Sequence, residues 1–128
     1  MRKQAAVRQS DVLGVLHGHK KPMTAYAILD QMKLGEPDLA APTVYRALAA
    51  LTDQGLAHKL ESIKAFVPCR CSHEAAVPVL AICGDCGAVE EHDGTRLLPE
   101  LSAISTQSSF NATRHIVEIH GRCDGCST

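Results

Sequence analysis

The first 55 residues repeat apolar positions with the period of an α-helix in three successive segments. The first, residues 7–17, ends before Gly18, and the second begins after Thr24, a residue type that caps helix N-termini. The third begins at Pro42, which suits a first helical turn, and ends before Gly55. The inward positions are apolar: Val12, Leu13, Val15 and Leu16; Ala25, Ile28, Leu29 and Met32; Val44, Leu48 and Leu51. This pattern predicts a helix-turn-helix core.

The segment after the third helix has the pattern of a β-hairpin. Residues 56–61 and 65–67 form two short strand-like runs around a turn at residues 62–64. A hairpin in this position makes a winged helix, whose third helix enters the major groove of DNA. The outward face of that helix carries Thr43, Tyr45 and Arg46. Arg46 can bind a phosphate or a guanine edge, and Tyr45 can contact a thymine methyl group, although Arg46 alone would read as a solvated charge.

Composition limits what each half of the chain can do alone. Of the 128 residues only 3% are aromatic, and none is Trp. Halves of about 65 residues have marginal cores that a metal ion or an oligomer partner usually supports. No apolar run approaches the length of a membrane span, so we expect none.

Charge divides the chain into two unequal halves. Residues 1–64 carry nine Lys and Arg against six Asp and Glu, a net charge of +3, whereas residues 65–128 carry four against eight, a net charge of −4. A basic front half suggests nucleic acid as a partner, and the acidic rear half suggests a sensor or assembly module. This signal is weak by itself, because many solvated surfaces look similar.

Two Cys-x-x-Cys motifs in the rear half carry the strongest chemical signal. They are Cys83-Gly-Asp-Cys86 and Cys123-Asp-Gly-Cys126, and together they supply four thiolates for one tetrahedral zinc ion. The alternatives are two redox pairs or two disulfides. Both are less favoured, because no secretory h-region opens the chain, which indicates a reducing cytoplasm, and because a redox motif normally occurs once.

The spacing of these motifs predicts a structural role for the metal. Four protein ligands leave no open coordination position, so the site is not expected to be catalytic. The 36 residues between Cys86 and Cys123 are too many for a zinc finger, so the ion would tie together the ends of a small domain. Removing it should unfold the rear half of the chain.

Four blocks of the sequence resemble the ferric uptake regulator family. PTVYRAL (residues 42–48) and DQGLAHKLES (53–62) resemble its recognition helix and wing, and ICGDCGAVEE (82–91) and RHIVEIHG (114–121) resemble its dimerisation domain. The resemblance implies an α+β fold: a winged helix-turn-helix domain over residues 1–67, then a small α/β dimerisation domain with a structural four-cysteine zinc site over residues 68–128. It also implies a DNA-binding regulator and not an enzyme, so a Cys-x-x-Cys thiol oxidoreductase is a remote alternative.

Within the family the resemblance is greatest to the zinc-responsive branch. It implies a cytoplasmic homodimer that binds operator DNA when zinc-loaded and represses zinc-uptake genes, with an iron- or peroxide-responsive repressor as the alternative. The implied cofactor is two Zn²⁺ per subunit, one structural and one regulatory. A soft sulfur ligand favours zinc over iron or manganese. The implied regulatory ligands are His58, Cys69, His73 and Glu91, with Cys71 and His92 as alternatives.

Other positions are interpreted through the same resemblance. Thr43, Tyr45 and Arg46 are the implied DNA contacts, together with Lys20 and Lys21. Asp30 and Lys33 match positions that pair two dimers on one operator, although they could equally be an ordinary exposed pair on a helix. His115 matches a family metal ligand whose usual partners are missing. We therefore expect no third metal site, and expect His115 and His120 to be polar residues of a strand over residues 113–120.

Overall fold

The computed structural model describes residues 4–69, 77–113 and 115–127. It divides into two compact units, Met1–Cys69 and Arg70–Thr128. The first unit contains α1 (Ala5–His17), β1 (Met23–Thr24), α2 (Ala25–Lys33), α3 (Ala41–Asp53), β2 (Ala57–Leu60) and β3 (Ala65–Pro68). The second contains β4 (Pro78–Cys83), β5 (Val89–Asp93), α4 (Leu98–Gln107) and β6 (Val117–Gly121). The fold is therefore mixed helix and sheet, as the sequence predicts.

The three predicted helices of the first unit are present, although α1 begins two residues before the predicted residue 7 and α3 one residue before Pro42. Thr24 caps α2, because its Oγ1 accepts a hydrogen bond of 3.1 Å from the backbone N–H of Ala27. Gly55 follows α3 in the left-handed conformation, with φ of 75°, which lets the chain turn directly into β2. The predicted inward faces form the core, whose most buried large residues are Val12, Leu16, Ile28, Val44, Leu48 and Leu51.

The wing of this unit is a three-stranded sheet in the order β1–β3–β2. β2 and β3 pair antiparallel, with His58 opposite Val67 and Leu60 opposite Ala65. The turn between them places Lys64 at φ of 53°. β1 adds two further pairs to β3 and was not predicted, since a two-residue strand leaves no periodic pattern. This unit is a winged helix.

The second unit is built on a three-stranded sheet in the order β5–β4–β6. β4 pairs antiparallel with β5 and parallel with β6. Its core is small and consists of residues from β4 and its start: Val77, Val79, Leu80, Ile82 and Cys83. No residue of α4 is buried. This helix therefore contributes little to the core of the unit by itself.

The predicted strand over residues 113–120 is wrong at positions 113, 115 and 116, and residue 114 lies outside the described residues. β6 begins only at Val117, which pairs with Val79 of β4. β4 itself begins at Pro78, and a proline has no N–H to extend the ladder, so earlier residues of β6 would lack a partner strand. His115 consequently lies before the strand, with its Nε2 buried and without a hydrogen-bond partner among the described residues. His120 lies in β6, 3.4 Å from Glu118 Oε1.

Among the described residues, none of the helices has both the length and the apolar character needed to cross a membrane.

Candidate metal centres and nucleic-acid interface

The structure brings the four cysteines of the two motifs together in the second unit. The sulfur atoms of Cys83, Cys86, Cys123 and Cys126 all lie within 4.8 Å of one another, and the Cys86 and Cys123 sulfurs are 3.8 Å apart. Four thiolates bound tetrahedrally at about 2.3 Å would have sulfurs separated by roughly 3.8 Å. The donor type and spacing therefore fit a zinc ion, and no described cysteine forms a disulfide.

Strand pairing and tight turns explain why these thiols converge. Cys83 ends β4 opposite Gly121, the last residue of β6, so the parallel pair delivers both motifs to the same end of the sheet. A backbone hydrogen bond of 2.9 Å from Gly84 N to Gly121 O joins the two motifs. The first motif turns back through Gly87, at φ of 77°, which places the Cys83 N–H 2.9 Å from Ala88 O.

Two of these thiols have displaced pKa values in opposite directions. Hydrogen bonds from the backbone N–H groups of Cys123 and then Cys86 lower the pKa of Cys83 to about 6. Side-chain interaction with Cys123, followed by Cys83 and Cys86, raises the pKa of Cys126 to about 12. The cluster thus favours one thiolate and resists accumulating further negative charge. A bound divalent cation would offset the repulsion between the thiolates.

An ion pair between the two motifs was not predicted from the sequence. Arg122 Nε lies 3.2 Å from Asp85 Oδ2, and both side chains are substantially exposed. Each residue sits directly beside a cysteine, so the pair links the turn of the first motif to the start of the second. Exposed ion pairs contribute little to the free energy of folding. The effect of this pair is therefore to orient the two turns locally.

A second pair of candidate ligands lies in the first unit. A ring nitrogen of His58 and the sulfur of Cys69 lie within 4.8 Å of each other. His58 is on β2, and Cys69 directly follows β3, where its backbone N–H donates a 2.9 Å hydrogen bond to Leu56 O. The two strands of the wing thus hold one imidazole and one thiol at the base of the hairpin. Nitrogen and sulfur donors of this kind suit zinc.

The predicted carboxylate ligand lies in the second unit on β5. Glu91 pairs with Leu80 and is half-buried, whereas its neighbour His92 pairs with Val79 and is exposed. Successive residues of a strand point to opposite faces, so His92 cannot occupy the position of Glu91 without a change in the strand. His92 Nε2 instead lies 3.2 Å from Glu90 Oε2, on the other face. His73 and its alternative Cys71 lie outside the described residues.

The predicted DNA contacts lie on α3 and on the loop before β1. Tyr45 and Arg46 are exposed on α3, while Thr43 is half-buried near its start. Lys20 and Lys21 are exposed between α1 and β1. The predicted outward face of α3 is therefore available to a nucleic acid, opposite the buried face of Val44, Ala47, Leu48 and Leu51.

A tyrosine of α2 extends this face and was not identified from the sequence. Tyr26 contacts Tyr45 edge to face, with ring centroids 6.5 Å apart and ring planes at 88°. The chain has only two Tyr and two Phe. This scarcity is the feature of the sequence that could have drawn attention to Tyr26. Asp30 and Lys33 lie further along α2, and both are exposed.

A model of the ferric uptake regulator family matches residues 3–120, nearly the whole chain. The chain belongs to the ferric uptake regulator family. Family membership agrees with the winged helix, the four-cysteine cluster and the residue blocks on which the resemblance rested.

Similar proteins within the family are zinc uptake regulators. The zinc uptake regulation protein of Escherichia coli (strain K12) is 32% identical over 117 residues, which are 91% of this chain and 68% of that protein. A solved structure of a zinc uptake regulator complexed with zinc and DNA is 33% identical, with a TM-score of 0.84 over 93% of this chain and 80% of that one. Holo XcZur is also 33% identical, with a TM-score of 0.84 over 94% of this chain and 84% of that one.

Proposed function

We propose that this protein is a zinc-responsive transcriptional repressor that binds operator DNA as a zinc-loaded homodimer and represses zinc-uptake genes. The observation that carries the proposal is the His58 and Cys69 pair at the base of the wing. It gives the DNA-binding unit its own nitrogen and sulfur donors, in addition to the four-cysteine cluster of the second unit. Zinc in the solved complex with DNA, and in the names of the similar proteins, supports the same metal.

The proposal includes two zinc ions per subunit with different roles. Cys83, Cys86, Cys123 and Cys126 hold a structural ion, because four protein ligands close the coordination sphere. His58, Cys69 and Glu91 belong to the regulatory site, with His73 as the fourth ligand. Cys71 remains the alternative fourth ligand. The thiolate of Cys69 is the ligand that favours zinc over the harder ions iron and manganese.

The regulatory ligands belong to both units of the chain, which suggests how zinc would control DNA binding. A bound zinc ion supplies a cation that links its donors. His58 and Cys69 then hold the wing, and Glu91 holds the sheet of the second unit, so the orientation of the winged helix is restricted. Only an ordered dimer presents two recognition helices at the spacing of successive major-groove half-sites. A shift from 1:99 to 99:1 in favour of that state requires about 5.5 kcal/mol of differential binding.

The second unit supports the homodimer in the proposal. Among the described residues of this unit, one subunit leaves five large apolar residues exposed: Leu97, Ile104, Phe110, Ile116 and Ile119. β6, which carries Ile119, lies at an edge of the described sheet, so its outer backbone groups can pair with a strand of a second copy. Burial of such a surface against its twin would complete a core that is small in one subunit.

Pairing of two dimers on one operator is a further part of the proposal. Asp30 and Lys33 are exposed on α2 and carry opposite charges, so each could bind its counterpart on a neighbouring dimer. Lys33 lacks the planar fork of an arginine, and we therefore expect weak cooperativity. A repressor of this kind would act in the cytoplasm, where the DNA is.

One titration tests the proposal against its alternatives. Operator duplex is first selected from random DNA by the zinc-loaded protein, and binding is then measured by gel shift against buffered free zinc, with the metal content counted in parallel. We expect binding to appear as a second equivalent of zinc per subunit is taken up. Response to ferrous iron instead of zinc would indicate an iron repressor. DNA binding that persists after mild chelation would contradict zinc sensing, and absence of stoichiometric zinc would favour a thiol oxidoreductase.

The same titration tests the dimer pairs. Asp30→Ala should remove any cooperativity from the binding curve on the full operator while leaving binding to a single-dimer duplex unchanged. An unaltered Hill slope on an operator that wild type binds cooperatively would exclude the role of Asp30.

A further inference from the structure

An ion pair ties the first helix to the turn of the helix-turn-helix. Arg8 Nη1 donates a 2.8 Å hydrogen bond to Glu36 Oε1 and also lies 2.8 Å from Glu36 Oε2. The two residues are 28 positions apart in the sequence, and their side chains are only 16% and 32% exposed. Because the hydrogen bond is charge-assisted and partly shielded from water, it can hold the chain segment that carries it more firmly than an open surface pair would.

One end of this pair is anchored in the core of the first unit. Arg8 lies on α1 four residues before Val12, so the two side chains share one face of the helix. Val12 is 1% exposed and belongs to the cluster that also holds Leu48 of α3. The core therefore fixes the backbone of Arg8, and the guanidinium extends from a fixed point to the turn.

The other end lies on the segment that leads into α3. The Glu36 N–H donates a 3.1 Å hydrogen bond to Met32 O at the end of α2, and the Leu39 N–H donates one of 3.1 Å to Glu36 O. Ala40, at the N-cap of α3, has no polar side chain with which to cap the helix. The start of α3 is thus positioned by the turn before it, and Glu36 is the residue of this turn that binds α1.

The ion pair borders the same cleft as two proposed DNA contacts of α3. This cleft has a volume of about 600 Å³, and Arg8, Glu36, Thr43 and Arg46 all line it. An open cleft lacks packed side chains, so packing on this side does little to hold the turn. A shift of the turn would move Thr43, which lies in the first turn of α3, and with it the DNA-binding surface.

We propose that Arg8 and Glu36 are positioning residues for the recognition helix α3 and thereby determinants of DNA sequence specificity. This inference rests on the proposed DNA-binding function. The pair fixes the turn before α3, and so fixes where Thr43 and Arg46 meet the operator. Loss of the pair should therefore weaken binding to the operator more than binding to unrelated DNA, which depends chiefly on phosphate contacts.

The opposite charges of the two residues give a test in which positioning and direct contact differ in sign. Arg8→Met removes a positive charge but keeps an apolar stem, and Glu36→Gln removes a negative charge at nearly constant size. If Arg8 contacted phosphates directly, Arg8→Met would weaken binding to all DNA and Glu36→Gln would strengthen it. A positioning pair instead predicts the same loss of operator preference in both variants.

The measurement compares two DNA duplexes. Zinc-loaded protein is titrated by fluorescence anisotropy with the operator selected from random DNA and with a scrambled duplex of equal length and base composition. Arg8→Met and Glu36→Gln should each lower the ratio of operator affinity to scrambled affinity about fivefold. The charge-exchanged protein, Arg8→Glu with Glu36→Arg, should recover most of this ratio. Asp38→Asn removes a negative charge from an exposed residue of the same turn and the same cleft, and as the matched control it should leave the ratio unchanged.

The positioning step can also be measured without DNA. The Thr43 N–H donates a 3.1 Å hydrogen bond to Ala40 O, in the segment that the pair is proposed to hold. Amide hydrogen exchange at Thr43 should be faster in Arg8→Met and in Glu36→Gln, because the turn opens more often. It should return towards the wild-type rate in the charge-exchanged protein, while circular dichroism and zinc content stay as in wild type. Wild-type exchange at Thr43 in both single variants would overturn the positioning role.

The outcomes separate this inference from the function on which it rests. Opposite changes in affinity for both duplexes in Arg8→Met and Glu36→Gln would assign Arg8 to phosphate contact and contradict positioning. A wild-type affinity ratio in both variants would also contradict it, as would a charge-exchanged protein no better than the single variants. If the wild-type protein enriches no sequence from random DNA in the presence of zinc, the proposed function fails and the role in specificity fails with it. The exchange rate of Thr43 then still shows whether the pair holds the turn.

Discussion

The cysteine residues in this chain differ in their surroundings, and the proposed difference in their roles rests on this. Backbone hydrogen bonds from Cys123 of the opposite motif and from Cys86 of its own motif lower the pKa of Cys83 to about 6, and Cys83 lies among three other thiols. Cys69 has one nearby imidazole, that of His58, and sits where the wing leaves β3. A thiol that completes a set of four cysteine ligands is suited to a structural zinc site. A thiol at the end of a hairpin is suited to a site that regulates DNA binding.

Replacement of Cys69 therefore tests the regulatory role of this residue while the fold stays intact. In Cys69→Ser the hydroxyl is a poor zinc ligand, and we expect the folded dimer to bind one zinc ion fewer per subunit. Its operator affinity should fall to the weak, zinc-independent level of the metal-depleted protein. Gel shift against free zinc, with circular dichroism of the same samples, measures both effects.

The matched substitution in the four-cysteine cluster should behave differently. Cys86→Ser removes one of the four proposed structural ligands. Because the remaining core of the second unit is small, this unit should lose its β-sheet signal in circular dichroism and its dimer contacts. Equal circular dichroism spectra for Cys69→Ser and Cys86→Ser would show that the division into structural and regulatory ligands is wrong.

At the scale of elements, the accuracy of prediction follows from where each element buries its apolar residues. α1, α2 and α3 were predicted because each buries a periodic face within its own unit, and the wing because two short strand-like runs surround a turn. α4 was not predicted, since its weakly amphipathic sequence is rich in Ser and none of its residues is buried in one subunit. β6 proved shorter than predicted, because strand length depends on the partner strand β4, which local periodicity cannot show.

The candidate sites, too, could be predicted only where the signal is local in the sequence. The four-cysteine cluster could be predicted because its ligands come in fixed local spacings. The contact between Tyr26 and Tyr45 could not, since it depends on the packing of α2 against α3. The opposite faces of Glu91 and His92 became evident only with the register of β5.

The exposed edge strand β6 gives a prediction about assembly. Ile119 is 55% exposed on β6, and Ile119→Lys would place a charge in the proposed dimer contact. We expect this variant to sediment as a monomer and to lose operator binding, while the first unit stays folded. Ile63→Lys, at a 45% exposed position in the wing turn, is the control and should remain dimeric. A dimeric Ile119→Lys protein would exclude this edge from the interface.

At the scale of the whole molecule, the two units are stabilised in different ways. The first unit buries apolar residues from three helices and a sheet in one cluster. The second has a small core, and its four thiols lie at one end of the sheet. A structural zinc ion contributes about 10 to 16 kcal/mol in model peptides, as much as the stability of a whole domain. The first unit should thus be stable without metal, and the second should not.

Complete removal of zinc with a strong chelator under reducing conditions tests this asymmetry. Both tyrosines lie in the first unit and the chain has no Trp, so tyrosine NMR signals report on that unit alone. We expect these signals to keep their native shifts while amide signals of β4, β5 and β6 collapse and the dimer dissociates, because the cluster and the proposed interface share the second unit. Adding zinc back should restore both. Simultaneous loss of the tyrosine signals would mean that the winged helix depends on the second unit for its stability, and native β4 signals without zinc would mean that the four-cysteine site is not the main support of the sheet.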